Sequence, residues 1–292
     1  MSIFVNRNSK VIIQGFTGQH ATFHAEEAIK GGTPIVGGVT PGKGGATHLG
    51  RPVFHTVSQA VEETGADVSG VFVPPPFAAD AVMEAIDAGI RMIVVIADGI
   101  PVQDMVRVKR YLVGRDAIII GPNTAGIITP GECKVGIMPS HIYRPGRIGV
   151  VSRSGTLNYE AVEQMNALGL GQSTSVSIGG DPVNGCDFLT VLQAFEADPH
   201  TDAVLLIGEI GGPHEVEAAQ WAQEHMSKPL SAFIAGASAP AGRRMGHAGA
   251  IVSGEDDTAR AKMDRMARLG VHVVENPADI GATVLRSLGR TG

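Results

Sequence analysis

Short Val- and Ile-rich runs alternate with amphipathic segments along the whole chain, a pattern that confines it to βαβ units on mainly parallel sheets. In the first half the pattern predicts strands at 10–15, 34–38, 69–74, 91–97 and 116–120, with helices at 20–31, 56–64, 77–89 and 102–113. Residues 129–146 (TPGECKVGIMPSHIYRPG) are rich in Pro and Gly, have no clear period and read as a connector. A second series follows, with strands at 148–152, 173–178, 202–208, 230–235 and 271–275 and helices at 156–168, 186–197, 213–226, 256–269 and 277–288. The expected fold class is therefore α/β with two doubly wound domains, 1–130 and 148–292, joined by a connector at 131–147. A length of 292 residues with 43% hydrophobic side chains supplies enough apolar surface for two cores.

Charge narrows the function classes. The net charge is -6 and no basic run is present, so nucleic acid is not an expected partner. The two cysteines, Cys133 and Cys186, lack the close Cys or His neighbours of a zinc site and fit a reducing compartment. MSIFVNRNSK runs straight into VIIQG without the features of a secretory leader, and no apolar stretch reaches the ~20 residues of a membrane span. The expected location is the cytoplasm.

In open α/β sheets ligands bind beyond the carboxyl ends of the strands, so the loops there carry the functional signal. Gly15-Phe16-Thr17-Gly18-Gln19 follows VIIQ and suits a phosphate or pyrophosphate at a helix N-terminus, although any tight βα turn has a similar composition. It lacks GxGxxG, which argues against a nicotinamide cofactor. Gly37 to Gly45 (GGVTPGKGG) nearly spells a Walker A loop, but Gly44 stands where Ser or Thr should hold magnesium. Lys43 is then either a point charge for a phosphate or a solvated surface lysine. Val73-Pro74-Pro75-Pro76-Phe77 stiffens the next turn into an apolar wall without N–H donors.

In the second half, Val151-Ser152-Arg153-Ser154-Gly155-Thr156 joins a strand to a helix. Ser154 and Thr156 read as helix caps individually, and Ser154, Gly155 and Thr156 together as a phosphate site. Glu209 follows the strand AVLLI among glycines and is either a helix-dipole partner or the acceptor for a histidine N–H. His247 lies in APAGRRMGHAGAI, where Gly246, Ala248 and Gly249 are too small to pack around it as core residues would. A neutral imidazole on such a loop is a nucleophile that can hold a phosphoryl group, with Glu209 as the candidate to orient its second nitrogen.

The ordered set GFTG, GGVTPGKGG, VPPPF, GPN, GECK, VSRSGTL, YEA, IGGDP, GEIGG and APAGRRMGHAGAI resembles the succinyl-CoA synthetase (succinate–CoA ligase) α subunit family over essentially the whole chain. The resemblance implies a Rossmann-like CoA-binding domain followed by a flavodoxin-like ligase domain. It implies CoA contacts from Thr17, Gly18, Gln19, Lys43, Val73, Pro74 and Pro75, with Ala97 and Asp98 alongside. It makes His247 the phosphohistidine and Glu209 its orienting carboxylate, and places Ser154, Gly155, Thr156 and Tyr159 around the phosphoryl group or substrate. ATP or GTP, with Mg2+, would bind an ATP-grasp β subunit in an αβ heterodimer or (αβ)2 heterotetramer, so this chain alone should be inactive.

Gly121-Pro122-Asn123-Thr124-Ala125-Gly126 departs from the Cys-Pro pair usual in succinate enzymes and is similar to the malate–CoA ligase branch, as are 98–105, 107–112, 141–143 and 211–213. Gly131-Glu132-Cys133-Lys134 is similar to the succinate branch of the citric acid cycle instead. Malate is the preferred expectation for the acid and succinate the alternative, with Asn123, Thr124 and Ala125 as substrate-contact candidates.

Overall fold

The computed structural model describes residues 2–240 and 242–289, so Ala241 of the histidine segment lies outside the described residues. The chain divides into two compact units. The first comprises Phe4–Ser140 together with Val183–Cys186, and the second, among the described residues, 2–3, His141–Pro182, 187–240 and 242–289.

In the first unit the elements run β1 (Val11–Gln14), α1 (Gln19–Lys30), β2 (Ile35–Val39), β3 (Thr47–His48), β4 (Arg51–Phe54), α2 (Val57–Thr64) and β5 (Val68–Val71). They continue with α3 (Pro75–Asp87), β6 (Met92–Val95), α4 (Val102–Leu112), β7 (Ile118–Ile120), β8 (Gly126–Thr129) and β9 (Cys133–Gly136). The sheet order is β3-β4-β2-β1-β5-β6-β7, parallel throughout except that β3 runs antiparallel to β4. Without the two-residue β3 this is the 3-2-1-4-5-6 order of the Rossmann fold. Val11, Ile12, Ile93 and Val95 are fully buried, as strands covered on both faces require. The segment Val183–Cys186 is tied down here: the Gly185 N–H donates to the Gly121 carbonyl at 2.7 Å, and Lys109 Nζ donates to the Gly185 carbonyl at 2.8 Å.

The second unit runs β10 (Pro145–Ser152), α5 (Gly155–Ala167), β11 (Gln172–Ser177), α6 (Phe188–Ala197), β12 (Ala203–Glu209), α7 (His214–His225), β13 (Leu230–Ala235), α8 (Ala259–Arg268), β14 (His272–Val274) and α9 (Ile280–Ser287). Its parallel strands lie in the order β14-β13-β12-β10-β11, which in chain rank is the 2-1-3-4-5 order of flavodoxin-like sheets. Helix starts carry the caps their sequences supply. Thr56, Ser154, Asp187 and Thr258 each accept a backbone N–H three residues on, an interaction of about 1 kcal/mol each. No side chain caps α1 or α7, and both begin beside candidate site residues.

The connector expected across 129–146 is replaced in part by structure. β8 and β9 form an antiparallel hairpin, Gly126↔Gly136 to Thr129↔Cys133, and β10 begins at Pro145. The β3–β4 pair was likewise unexpected in THLGRPVF. These strands have two to four residues, too few to show a period of two beside Gly and Pro.

Candidate active site

In each sheet the strand order reverses at one position, and that is where an open α/β sheet leaves a crevice. In the first unit it falls between β1 and β5, whose following loops are Gly15–Gln19 and the Val73–Pro75 turn. Gly15 has φ 79°, and a Cβ there would sit 2.8 Å from the Phe72 carbonyl oxygen, so the turn requires glycine. Gly18 opens α1 without a side-chain cap, which leaves the first N–H groups, including that of Gln19, for an anion. Lys43 Nζ donates to Thr17 Oγ1 at 3.1 Å, and the Thr17 N–H donates to Thr40 Oγ1 at 3.3 Å. The Lys43 loop is itself held, since the Gly42 N–H donates to His55 Nδ1 at 3.2 Å. An adjoining cavity of about 580 Å³ is lined by Gln14, Gly15, Pro41, Val73, Pro74 and Phe77, with Phe77 64% exposed. The structure thus gathers Thr17, Gly18, Gln19 and Lys43 around one helix N-terminus and sets Val73 and Pro74 in the wall of an apolar cavity. Pro75 begins α3.

Ala97 and Asp98 follow β6, and the Ala97 carbonyl accepts the Asn123 N–H at 2.9 Å. Asn123 has φ 54°, within the left-handed region. Thr124 is buried and its Oγ1 accepts the Gly126 N–H at 2.9 Å; Ala125 is buried beside it.

In the second unit the reversal lies between β10 and β12. Ser154 Oγ caps α5 by accepting the Leu157 N–H at 3.3 Å, so this hydroxyl serves the helix. Gly155 and Thr156 form the first turn, and Tyr159 is half-buried one turn on, where burial pushes its phenol up. At the end of β12, Glu209 Oε2 lies 2.6 Å from His247 Nδ1. An ionised carboxylate only accepts, so in the neutral ring Nδ1 carries the proton and Nε2 keeps its lone pair. The hydrogen bond to Glu209 raises the imidazole above its ordinary value; burial and Arg153 oppose the rise, and Asp181 adds to it. The side chain of His247 is 30% exposed and that of Glu209 only 10%, so the pair is anchored at its carboxylate end.

Several neighbours of this pair escaped the sequence reading. The His247 ring lies on Gly180, where a Cβ would come within 2.4 Å of its Cγ. Gly180 and Asp181 belong to IGGDP and Arg153 to VSRSGTL, motifs in which the sequence marks the glycine or hydroxyl but not the contact. Glu215 and Lys262 carried no signal at all: each is one of several charged residues on an ordinary helix.

A CoA binding domain model matches residues 6–99 and a CoA-ligase model matches residues 151–271, so fold and sites together define a two-domain CoA ligase chain, an acid–thiol ligase. The chain is 57% identical over 294 residues to the malate–CoA ligase subunit alpha of Methylorubrum extorquens, covering 99% of each protein. It is 55% identical over 290 residues to the ADP-forming succinate–CoA ligase subunit alpha of Aquifex aeolicus, covering 99% of this chain and 95% of that protein. It belongs to the family of succinate–CoA and malate–CoA ligase α subunits. Among solved structures it matches ATP citrate lyase from Methanothrix soehngenii in complex with citrate and coenzyme A, with a TM-score of 0.87 and 29% identity. That match covers 98% of this chain but only 50% of the lyase, so the chain spans about half the length of that structure.

Proposed function

We propose that this chain is the α subunit of an ADP-forming ligase that joins a C4 dicarboxylic acid to CoA through a phosphohistidine at His247. The observation that carries the reading is the 2.6 Å contact of His247 Nδ1 with Glu209, which leaves Nε2 as the nucleophilic nitrogen. His247 Nε2 attacks the γ-phosphorus of a nucleoside triphosphate held by an ATP-grasp β subunit, where Mg2+ would also bind. The N–P bond forms, and the bond to the departing nucleoside diphosphate breaks. Glu209 steadies the imidazolium character of the phosphorylated ring. An acid carboxylate then takes the phosphoryl group, returning the lone pair to Nε2 and giving an acyl phosphate. The CoA thiolate then attacks the acyl carbon, so that the C–S bond of the thioester forms and orthophosphate leaves. Lys43, Thr17 and the open turn of α1 fit the phosphates of CoA, and Val73 and Pro74 fit its apolar portions. Two buried free cysteines suit a reducing cytoplasm.

Malate is the proposed acid. Compared with Cys-Pro, Ala125 removes a ring and opens room for a 2-hydroxyl, while the Thr124 hydroxyl is turned to the Gly126 amide. A site that discriminates by room does so weakly, so succinate should be used as well, within about 100-fold of malate in kcat/KM. Succinate remains the second reading because the Aquifex aeolicus relative is a succinate–CoA ligase subunit. The test is thioester formation by the complex with its β subunit on both acids, in the wild type and in the Thr124→Cys, Ala125→Pro double variant. The double change should move the ratio toward succinate. A strong succinate preference that the double change leaves untouched would establish a succinate ligase.

A further inference from the structure

We propose that Lys262 and Glu215 are positioning residues for phosphoryl transfer, clamping the backbone of Glu209 so that its carboxylate holds His247 Nδ1. The inference rests on the phosphohistidine reading above. Lys262 and Glu215 are 1% and 0% exposed, and Lys262 Nζ lies 2.6 Å from Glu215 Oε2. The ammonium also donates to the carbonyls of Glu209 at 2.8 Å and Gly211 at 2.7 Å. On the other side, Glu215 Oε1 accepts the Glu209 N–H at 3.3 Å and pairs with Arg153 Nε at 3.5 Å. The two side chains therefore take both backbone polar groups of Glu209.

A buried lysine and glutamate are more costly than well-packed apolar residues, which makes their presence at this position informative. Strand β12 ends at Glu209, and just beyond it the Ile210 N–H donates to the Ala235 carbonyl at 3.2 Å and the Gly211 N–H to the Asp257 carbonyl at 2.9 Å. The N–H and carbonyl of Glu209 itself are held instead by side chains from α7 and α8. The packing leaves little slack: a Cβ on Gly208 would sit 2.4 Å from Glu215 Cγ. The charged groups facing Glu209 are His247 from its loop, Arg153 from the β10 end, Glu215 from α7 and Lys262 from α8. Among the described residues no hydrogen bond or ion pair joins Lys262 or Glu215 to His247, so their influence passes through the placement of Glu209.

Lys262→Met keeps length and removes the three donated bonds; Glu215→Gln keeps the Oε1 acceptor and removes the charge. In the complex with the β subunit, either change should slow labelling of His247 by nucleoside triphosphate about 10- to 100-fold, the scale expected when a reacting group is displaced by an ångström. KM for CoA should stay as in the wild type, because the CoA candidates lie in the other unit. In 15N NMR spectra the wild-type His247 should show protonated Nδ1 and bare Nε2 at high pH, and the variants a mixture of tautomers. Folded variants that label at the wild-type rate with the wild-type tautomer would overturn the proposal. Where Lys262→Met does not fold, Glu215→Gln decides by the same two readouts. If the wild-type complex carries no label, the phosphohistidine reading fails while the tautomer comparison still decides on Lys262 and Glu215.

Discussion

His247 is held between a carboxylate that favours its charged form and an environment that resists it. The Glu209 hydrogen bond raises its pKa; burial and Arg153 lower it, and Asp181 raises it. A phosphoryl acceptor needs the neutral ring, so labelling should increase with pH through a midpoint above the ordinary value near 6.5. The same linkage fixes the sign for stability. With the folded pKa raised, the stabilising contribution of the pair is complete below the unfolded value and is lost as pH rises through the folded one. Glu209→Gln should move the midpoint downward, measured by NMR titration of His247, and an unchanged midpoint would contradict the assigned contact. Lys43→Ala removes a charged donor worth about 1.5–3 kcal/mol and should weaken CoA binding roughly 10- to 100-fold in calorimetry, leaving His247 labelling intact. Unchanged CoA affinity would refute this placement. At this scale the sequence was informative where function imposes a local pattern. The glycines around His247 betray an irregular loop, and GEIGG sets a carboxylate at a strand end. Gly180, Glu215 and Lys262 act through contacts far away in the chain, and a single sequence does not display those.

Among the elements, helices were the more legible because a period of 3.6 has room to repeat within eight to thirteen residues, and because Thr56, Ser154, Asp187 and Thr258 mark the starts of four of them. The hairpin of β8 and β9 was hidden by its brevity and by Gly126 and Gly136, whose reason lies in close backbone approach. A Cβ on Gly126 would fall 2.0 Å from the Val135 carbonyl oxygen, and its φ of 103° already disfavours other residues. Gly126→Ala should therefore destabilise the protein by about 2 kcal/mol or more in thermal or urea unfolding. Gly254→Ala, with nothing within 4 Å of the added carbon, should be nearly neutral. Equal effects of the two changes would show that the hairpin is not packed as described.

For the whole molecule, the alternation of apolar runs and amphipathic helices was enough to anticipate two doubly wound sheets, whereas the order of strands within each followed only from the structure. Strand order matters to function because it decides which loops meet. In one sheet it brings the Gly15–Gln19 turn next to the Val73–Pro75 turn, and in the other it puts the Ser154 cap next to the strand that ends in Glu209. One such crevice lies in the unit that matches the CoA binding domain, and the other in the unit that carries Glu209 and His247. A phosphoryl carrier at His247 is tested by mixing the complex of this chain and its β subunit with γ-32P-labelled ATP in the absence of acid and CoA. Close to one acid-labile, base-stable phosphate should appear on this chain, absent in His247→Asn and discharged when acid and CoA are added. Full-rate thioester formation by His247→Asn, or a label that stays on the chain through turnover, would contradict it.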